Sequence, residues 1–310
     1  MVAERFMLSA VSDVVAVVLH YRTPAKTLSC LQSLQTEGLV RVLLVENSED
    51  GGVTLEALRP GLIQLQDQGL RVEVLDEGCN LGFAAGVNLA LRHIQTRKPS
   101  PVLLINSDAR LEPGALQGLL AAVTQGADIA APLLYSCAHE PMAPVLHYQK
   151  YLALVTQQAI WGSFPYITGA CMLLAPSLLR PLLFDEDFFF YGEDVMLGAT
   201  LAREGRHCVV VQEARVHHEG SGSARNGSFF YEYHINRGHW LLAQKLSQGV
   251  VHRVVAQAGR ALILSFRAVL RALRAGSSVP MWAYWQSAVG KHRAVRPETP
   301  TSRAERSQLK

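Results

Sequence analysis

Four groups of side chains in this 310-residue chain have the types and spacing for chemistry. Asn106-Ser107-Asp108 follows the apolar run PVLLIN and sets a carboxylate just beyond it. A carboxylate there can hold Mg²⁺ or Mn²⁺ through oxygen, with a diphosphate completing the shell. Close to Glu112-Pro113, it equally suits a turn or a helix cap. Glu193-Asp194 ends an acidic, aromatic stretch that begins at Phe184. Carboxylates among aromatic rings lose water, so their pKa rises toward the range of a general base. Asp194 can also cap the helix that follows, and the two roles are compatible. In Val216-His217-His218-Glu219 a histidine can ligate a divalent cation or simply hydrogen-bond within a loop. Neighbours in extended backbone point opposite ways, so at most one of the two histidines faces a site. Asn80–Asn88, NLGFAAGVN, is punctuated by Gly82 and Gly86, which allow close backbone approach to a ligand or tight strand–helix packing. It lacks the Lys-Ser/Thr ending of a phosphate-binding Walker loop and the GxGxxG spacing.

These groups need elements to position them. Val14–His20 reads as a buried strand, and Arg41–Asn47, Arg71–Asp76, Pro101–Asn106 and Ala127–Pro132 as further strands, separated by helical patterns, the third from about Ala84 to Thr96 and the next opened by Pro113. Such alternation predicts an α/β fold, with a mostly parallel central sheet and helices on both faces. Glu46-Asn47-Ser48, the Asn80 loop and Asn106–Asp108 then lie along one rim, at the C-terminal strand ends where such sheets bind ligands. Cys137–Gly162 shows no clean period and reads as a long excursion. Tyr166–Leu174 and His207–Val211 read as strands, with helices near Pro176–Leu183 and from Asp194 to Glu204 between them. Phe229–Leu246 and Val250–Arg274 read as helices, and the residues from Pro297 onward as a mobile tail.

Composition narrows the function. Hydrophobic residues make up 49% and charged residues 18%, as in a folded globular protein. The net charge of +3 argues against a nucleic-acid partner. That total conceals an acidic body and a basic tail, since residues 250–310 hold eleven Lys/Arg and two Asp/Glu. Five scattered cysteines without CxxC spacing suit a reducing, cytoplasmic setting. No run of about 18 apolar residues offers a membrane span. Arg253, Arg260, Arg267, Arg271 and Arg274 fall on one face of a helix, opposite Val251, Val255, Leu262, Phe266, Val269 and Leu273. Such a helix either packs on the body with its charged face solvated, or lies on an anionic membrane leaflet with Trp282, Tyr284 and Trp285 beside it.

Taken together, "VENSEDGG", "NLGFAAGVN", "INSDARLEPGAL", "ITGACMLL", "FDEDFFFYGEDVMLGATLAREG", "ARVHHEGSGS" and "YEYHINR" resemble the family 2 glycosyltransferases of GT-A fold. The nearest likeness is to bacterial rhamnosyltransferase-like members that build cell-surface polysaccharides. The resemblance spans about Val14 to Gln244. It implies a GT-A catalytic domain over 1–249 and a basic amphipathic helical appendage with a disordered end over 250–310.

The resemblance also implies roles. Asp108 matches the last carboxylate of a DxD-type motif, and Asn106 stands in its first place. Glu46 stands where an Asp near the nucleoside is commoner. Asn80, Gly82 and Asn88 match the loop lining the nucleotide-sugar pocket. Asp194, with Glu193 beside it, matches the carboxylate that deprotonates the acceptor. His218 matches a metal-side histidine, and Arg237 a basic position facing the phosphates. The implied activity is metal-dependent, inverting transfer of a sugar, rhamnose by likeness, from a nucleoside-diphosphate donor to a saccharide or lipid-linked saccharide. Mg²⁺ or Mn²⁺ is the implied cofactor. The implied place is the cytoplasm, peripheral on the inner face of the membrane through residues 250–285. A non-catalytic sugar-nucleotide-binding or scaffold protein of the same fold is the alternative, kept open by Asn106 and Glu46. A nucleotidyltransferase would need a glycine-rich, basic loop after the first strand, where this chain has His20-Tyr-Arg-Thr-Pro24.

Overall fold

Alternate residues of a buried strand face opposite sides, and the first strands of this chain are apolar at nearly every position, so both faces must be covered. A computed structural model describes residues 10–95, 100–220 and 227–290. In it, β1 (Val15–His20), α1 (Pro24–Thr36), β2 (Arg41–Glu46), α2 (Val53–Asp67), β3 (Arg71–Asp76), α3 (Gly82–Gln95) and β4 (Val102–Asn106) follow the expected alternation. Then come β5 (Ala109–Leu111), α4 (Ala115–Thr124), β6 (Ile129–Tyr135), β7 (Pro141–Met142), β8 (Val145–Gln149), β9 (Leu154–Thr156), β10 (Ser163–Ile167) and β11 (Cys171–Leu174). The chain continues through α5 (Glu193–Arg203), β12 (Cys208–His218), α6 (Phe229–Leu246), α7 (Val250–Ala275) and α8 (Val279–Val289). The Thr96 end of the third expected helix, Ser221–Ser223 of the histidine motif and the tail after Gly290 lie outside the described residues.

The main sheet runs β3-β2-β1-β4-β11-β6-β12-β5, with β7 beside β6. β1 to β4 are mutually parallel, and β12 pairs with β6 in parallel. β11 lies antiparallel between β4 and β6, and β5 is antiparallel to β12. The sheet is therefore mostly parallel, as expected. Ala16, Val18, Val42 and Leu44 face one layer of helices with Leu31, Leu58 and Leu116. Val15, Val17, Leu43 and Val45 face the other, with Val87, Leu91 and Leu197.

Four local readings need correction. Tyr166–Leu174 is not one strand: Thr168 to Ala170 break it, and its halves join different sheets. The Cys137–Gly162 excursion holds β7, β8 and β9, and β10-β8-β9 form a separate antiparallel sheet. The helix expected near Pro176–Leu183 is a single 3₁₀ turn, Pro176–Leu178. Pro113 does not open a helix, since α4 starts at Ala115 behind Gly114.

The amphipathic helix α7 is turned the other way from a helix whose charged face is solvated. Arg260 is 0% exposed, and Ala256, Leu264 and Ala268 are buried beside it. The arginine face meets polar groups on α6 and β8. Arg260 donates to Tyr148 Oη at 3.3 Å, Arg267 lies 3.3 Å from His239 Nε2, and Arg271 donates to both Glu232 oxygens at 2.9 Å. Burial, reinforced by the three guanidiniums, holds His239 well below the usual histidine range, so it sits there neutral. Tyr284 packs inward, donating to Ala261 O at 3.2 Å. No helix among the described residues is long and apolar enough to cross a membrane.

Candidate active site

An antiparallel return assembles the first half of the site. β4 ends at Asn106, the chain turns through Ser107-Asp108, and β5 runs back along the end of β12 in a register that pairs Ala109 with His218. Asp108 thus meets a residue 110 positions away: its Oδ1 lies 3.2 Å from His218 Nε2. Asn106 Nδ2 is 3.3 Å from the same nitrogen. His217 turns to the other side of the strand, where its Nε2 lies 2.6 Å from Glu112 Oε1. The expected split of the two histidines therefore holds. Asp108 caps no helix, because Gly114 occupies that place in α4. Burial acts to raise the Asp108 pKa, but the hydrogen bond and charge of His218, with Lys26 further off, outweigh it and hold the carboxyl below its usual range.

The donor chemistry fits a hard divalent cation held jointly with a ligand. Asp108 offers oxygen and His218 nitrogen at one point, and His218 Nδ1 is buried without a hydrogen-bond partner. Among the described residues no cluster of three or more His, Cys, Asp or Glu forms a complete shell. Two protein ligands with the remainder supplied by phosphate oxygens and water is the common arrangement for Mg²⁺ and its kin.

The second half is the N-terminus of α5. Gly192, at φ 100°, makes the turn into it, and a Cβ there would sit 2.9 Å from the Phe188 ring. Glu193 and Asp194 form the first turn. Asp194 Oδ1 accepts from Val195 N at 2.8 Å, and the Gly169 amide also favours its charged form. Burial nevertheless raises the pKa of both carboxyls, and the charge of Asp194 adds to the rise at Glu193. Glu193 Oε2 is buried and unpartnered.

A cavity of about 580 Å³ joins the two halves. Asn80, Gly82, Asn106, Asp108, Glu193, Asp194 and His218 all line it. So does Ser107, and so do Tyr21, Thr168 and the aromatic wall of Phe189, Phe190, Tyr191 and Phe230, which were not singled out from sequence as lining groups. The FFFY run signals the wall; nothing local marks Thr168.

Other expected residues have partners within the protein, and of these Asn47, like Gly82, also lines the cavity. Asn88 does not line the cavity: it is wholly buried and ties α3 to the acidic segment, donating to Phe184 O at 2.8 Å and accepting from Phe184 N at 3.1 Å. Gly82 lets two segments of the protein meet closely, since a Cβ would fall 2.3 Å from Phe189 O. Gly86 packs against Leu19 and Val45 of the sheet. Glu46 lies beneath the rim, accepting from Ser48 N, with its other oxygen buried 3.8 Å from His20 Nε2. Burial raises its pKa and lowers that of His20 to about 4. Asn47 holds the glycine loop, accepting from Leu81 N at 3.2 Å and donating to Gly82 O at 3.1 Å. Arg237 is half-buried on α6, outside the cavity lining.

Known proteins resemble this chain in sequence and fold. A Mycobacterium tuberculosis N-acetylglucosaminyl-diphospho-decaprenol L-rhamnosyltransferase is 25% identical over 248 residues, covering 69% of this chain and 78% of that protein. The mannosyltransferase PcManGT of Pyrobaculum calidifontis, solved with GDP-Man and Mn²⁺, superposes with a TM-score of 0.52 at 15% identity, over 96% of this chain and 79% of its own. GalNAc-T7, solved with UDP, GalNAc and Mn²⁺, gives 0.52 at 10% identity, over 86% of this chain and 58% of its own. These likenesses identify the fold as GT-A. Residues 16–183 match the glycosyl transferase family 2 pattern, a span that includes Asp108 and ends before Asp194 and His218. The chain belongs to glycosyl transferase family 2.

Proposed function

We propose that the chain is a metal-dependent, inverting glycosyltransferase that moves a sugar from a nucleoside-diphosphate donor to a saccharide or lipid-linked saccharide. The observation that carries this reading is a single cavity lined by both the Asp108–His218 pair and the half-buried base candidate Asp194. Rhamnose as the transferred sugar, and a role in cell-surface polysaccharide synthesis, draw support from the mycobacterial relative. The catalytic body in this reading is residues 1–249, with 250–310 as an appendage that includes α7 and α8, working at the cytoplasmic face of a membrane.

Asp108 and His218 would hold Mg²⁺ or Mn²⁺, which offsets the charge that develops on the leaving diphosphate. Asn106 orients His218. Asn80 and Asn47 fix the loop at the donor end. Asp194 takes the proton of the acceptor hydroxyl as that oxygen attacks the anomeric carbon from the face opposite the diphosphate. A single displacement inverts the configuration and needs no covalent sugar–enzyme intermediate. Burial raises both carboxyls and the charge of one opposes ionisation of the other, so Glu193 and Asp194 together favour a single negative charge.

Asp194→Asn is expected to fold normally and to lose about 10²- to 10⁴-fold in turnover, the range for a general base. Nucleoside-diphosphate release over a panel of sugar nucleotides with Mn²⁺ measures it. Turnover close to the parent would remove Asp194 from the mechanism.

A further inference from the structure

With its arginines turned inward, α7 presents the opposite face to solvent. Val251, Val255, Leu262, Phe266, Val269 and Leu273 recur at steps of three, four or seven and are all exposed, Leu262 at 68% and Phe266 at 65%. The stripe runs about 33 Å at the 1.5 Å rise of a helix. A monomer in water rarely leaves so long an apolar face uncovered. On α8, which packs against both α6 and α7, Met281, Trp282 and Trp285 are exposed as well.

We propose that this outward face of α7 and α8 lies flat on a lipid bilayer with anionic headgroups, its apolar side chains sunk to the acyl boundary. Three observations select a bilayer over a second copy of the chain. No Asp or Glu occurs from Val250 to Gly290, while Arg253 and Arg274 are exposed at the two ends of α7. Two copies face to face would bring like charges together uncompensated, whereas an anionic leaflet supplies the counter-charge. Exposed Trp282 and Trp285 have the apolar body and polar tip that favour the headgroup level. Finally, α7 borders the chemistry. Arg267, on its inner side, lines a second cavity of about 540 Å³ that shares Thr168, Tyr191 and Asp194 with the first. A helix resting on the leaflet would thus also edge the approach to the base, which suits an acceptor carried on a lipid. That last point rests on the acceptor reading above; the docking face does not.

The contact is hydrophobic, and the arginines of the helix centre serve the protein rather than the leaflet.

The test is flotation of the full chain with vesicles of phosphatidylcholine alone and with 30% phosphatidylglycerol, at low and high salt. The chain should float with the anionic vesicles, less at high salt but not to zero. The double variant Leu262→Ser/Phe266→Ser changes only exposed side chains and should keep its thermal midpoint and its nucleoside-diphosphate release with a water-soluble acceptor. Its partition coefficient should fall about tenfold or more, as expected for withdrawing two large apolar side chains from lipid. The proposal is overturned if the parent chain does not float, or if the variant floats equally well. It is also overturned if light scattering shows a dimer that the double variant converts to monomer. Absence of turnover in a chain that floats would count against the enzyme reading and leave the docking face standing.

Discussion

Asp108 and His218 hold each other across 3.2 Å, so each is set in place by the other before any ligand arrives. Removing either should spare the fold and abolish the proposed joint cation–diphosphate shell. Asp108→Ala or His218→Ala is expected to bind a nucleoside diphosphate no better with Mn²⁺ than without it, read by titration calorimetry. Asp194 carries a pH signature. Burial favours its protonated form, and the base works only when deprotonated, so activity should climb as pH rises through a folded-state pKa above the ordinary aspartate value. The acid limb of kcat/KM should therefore lie above about pH 4, the reference for a free aspartate; a midpoint at that reference would contradict the buried setting. These residues were legible in sequence because polar groups at the ends of apolar strands stand out. Asn88 was legible as important but not in its role, because its partner Phe184 is 96 positions away and no local pattern names it.

At the scale of elements, the glycine loop before α3 and the aromatic segment before α5 meet backbone to backbone. Gly82 sits at φ 75°, and the Phe83 amide donates to Phe189 O at 3.1 Å. Gly82→Ala combines a left-handed conformation with a Cβ driven into a carbonyl, so it should destabilise by about 1–3 kcal/mol from backbone strain alone. The displaced segment is the aromatic wall of the cavity. The same variant should therefore raise the donor KM by more than its loss of stability explains, a comparison made with urea unfolding and donor titration. Continuous apolar runs made β1, β2 and β4 readable, while β3, an edge strand, showed itself by alternation. β5 escaped because three residues carry no period, and β8 to β10 because their partly buried faces lack clean alternation. Yet β5 is the element that brings His218 to Asp108.

On the scale of the whole molecule, the spacing of apolar and basic residues along α7 defines two faces without saying which is inside. The usual rule turns the apolar face inward. Here α6 and β8 present Glu232, His239 and Tyr148 to the helix, so the arginines find partners and the apolar side is left over. The attachment has an identifiable anchor. Glu232 is 3% exposed, and Arg271 donates to both its oxygens. Arg271→Ala leaves that carboxylate buried without its cation and should destabilise by about 3 kcal/mol, the low end for a broken buried pair because Arg271 is itself partly exposed. Adding Glu232→Gln should recover part of the loss in the same urea titration.

The place of β12 in the sheet has a consequence for how the protein is made. β5 pairs only with β12 among the described residues, and 96 residues separate the end of one from the start of the other. During synthesis, Asp108 emerges long before the strand that completes its surroundings. A nascent chain that stops short of Cys208 has β1 to β4 in sequence but nothing to pin the β5 return or supply His218. Closing that long loop is an entropically late event. In the function proposed above, competence to engage a diphosphate thus arrives together with the closing strand, and unfinished chains hold no half-built donor site to trap a sugar nucleotide.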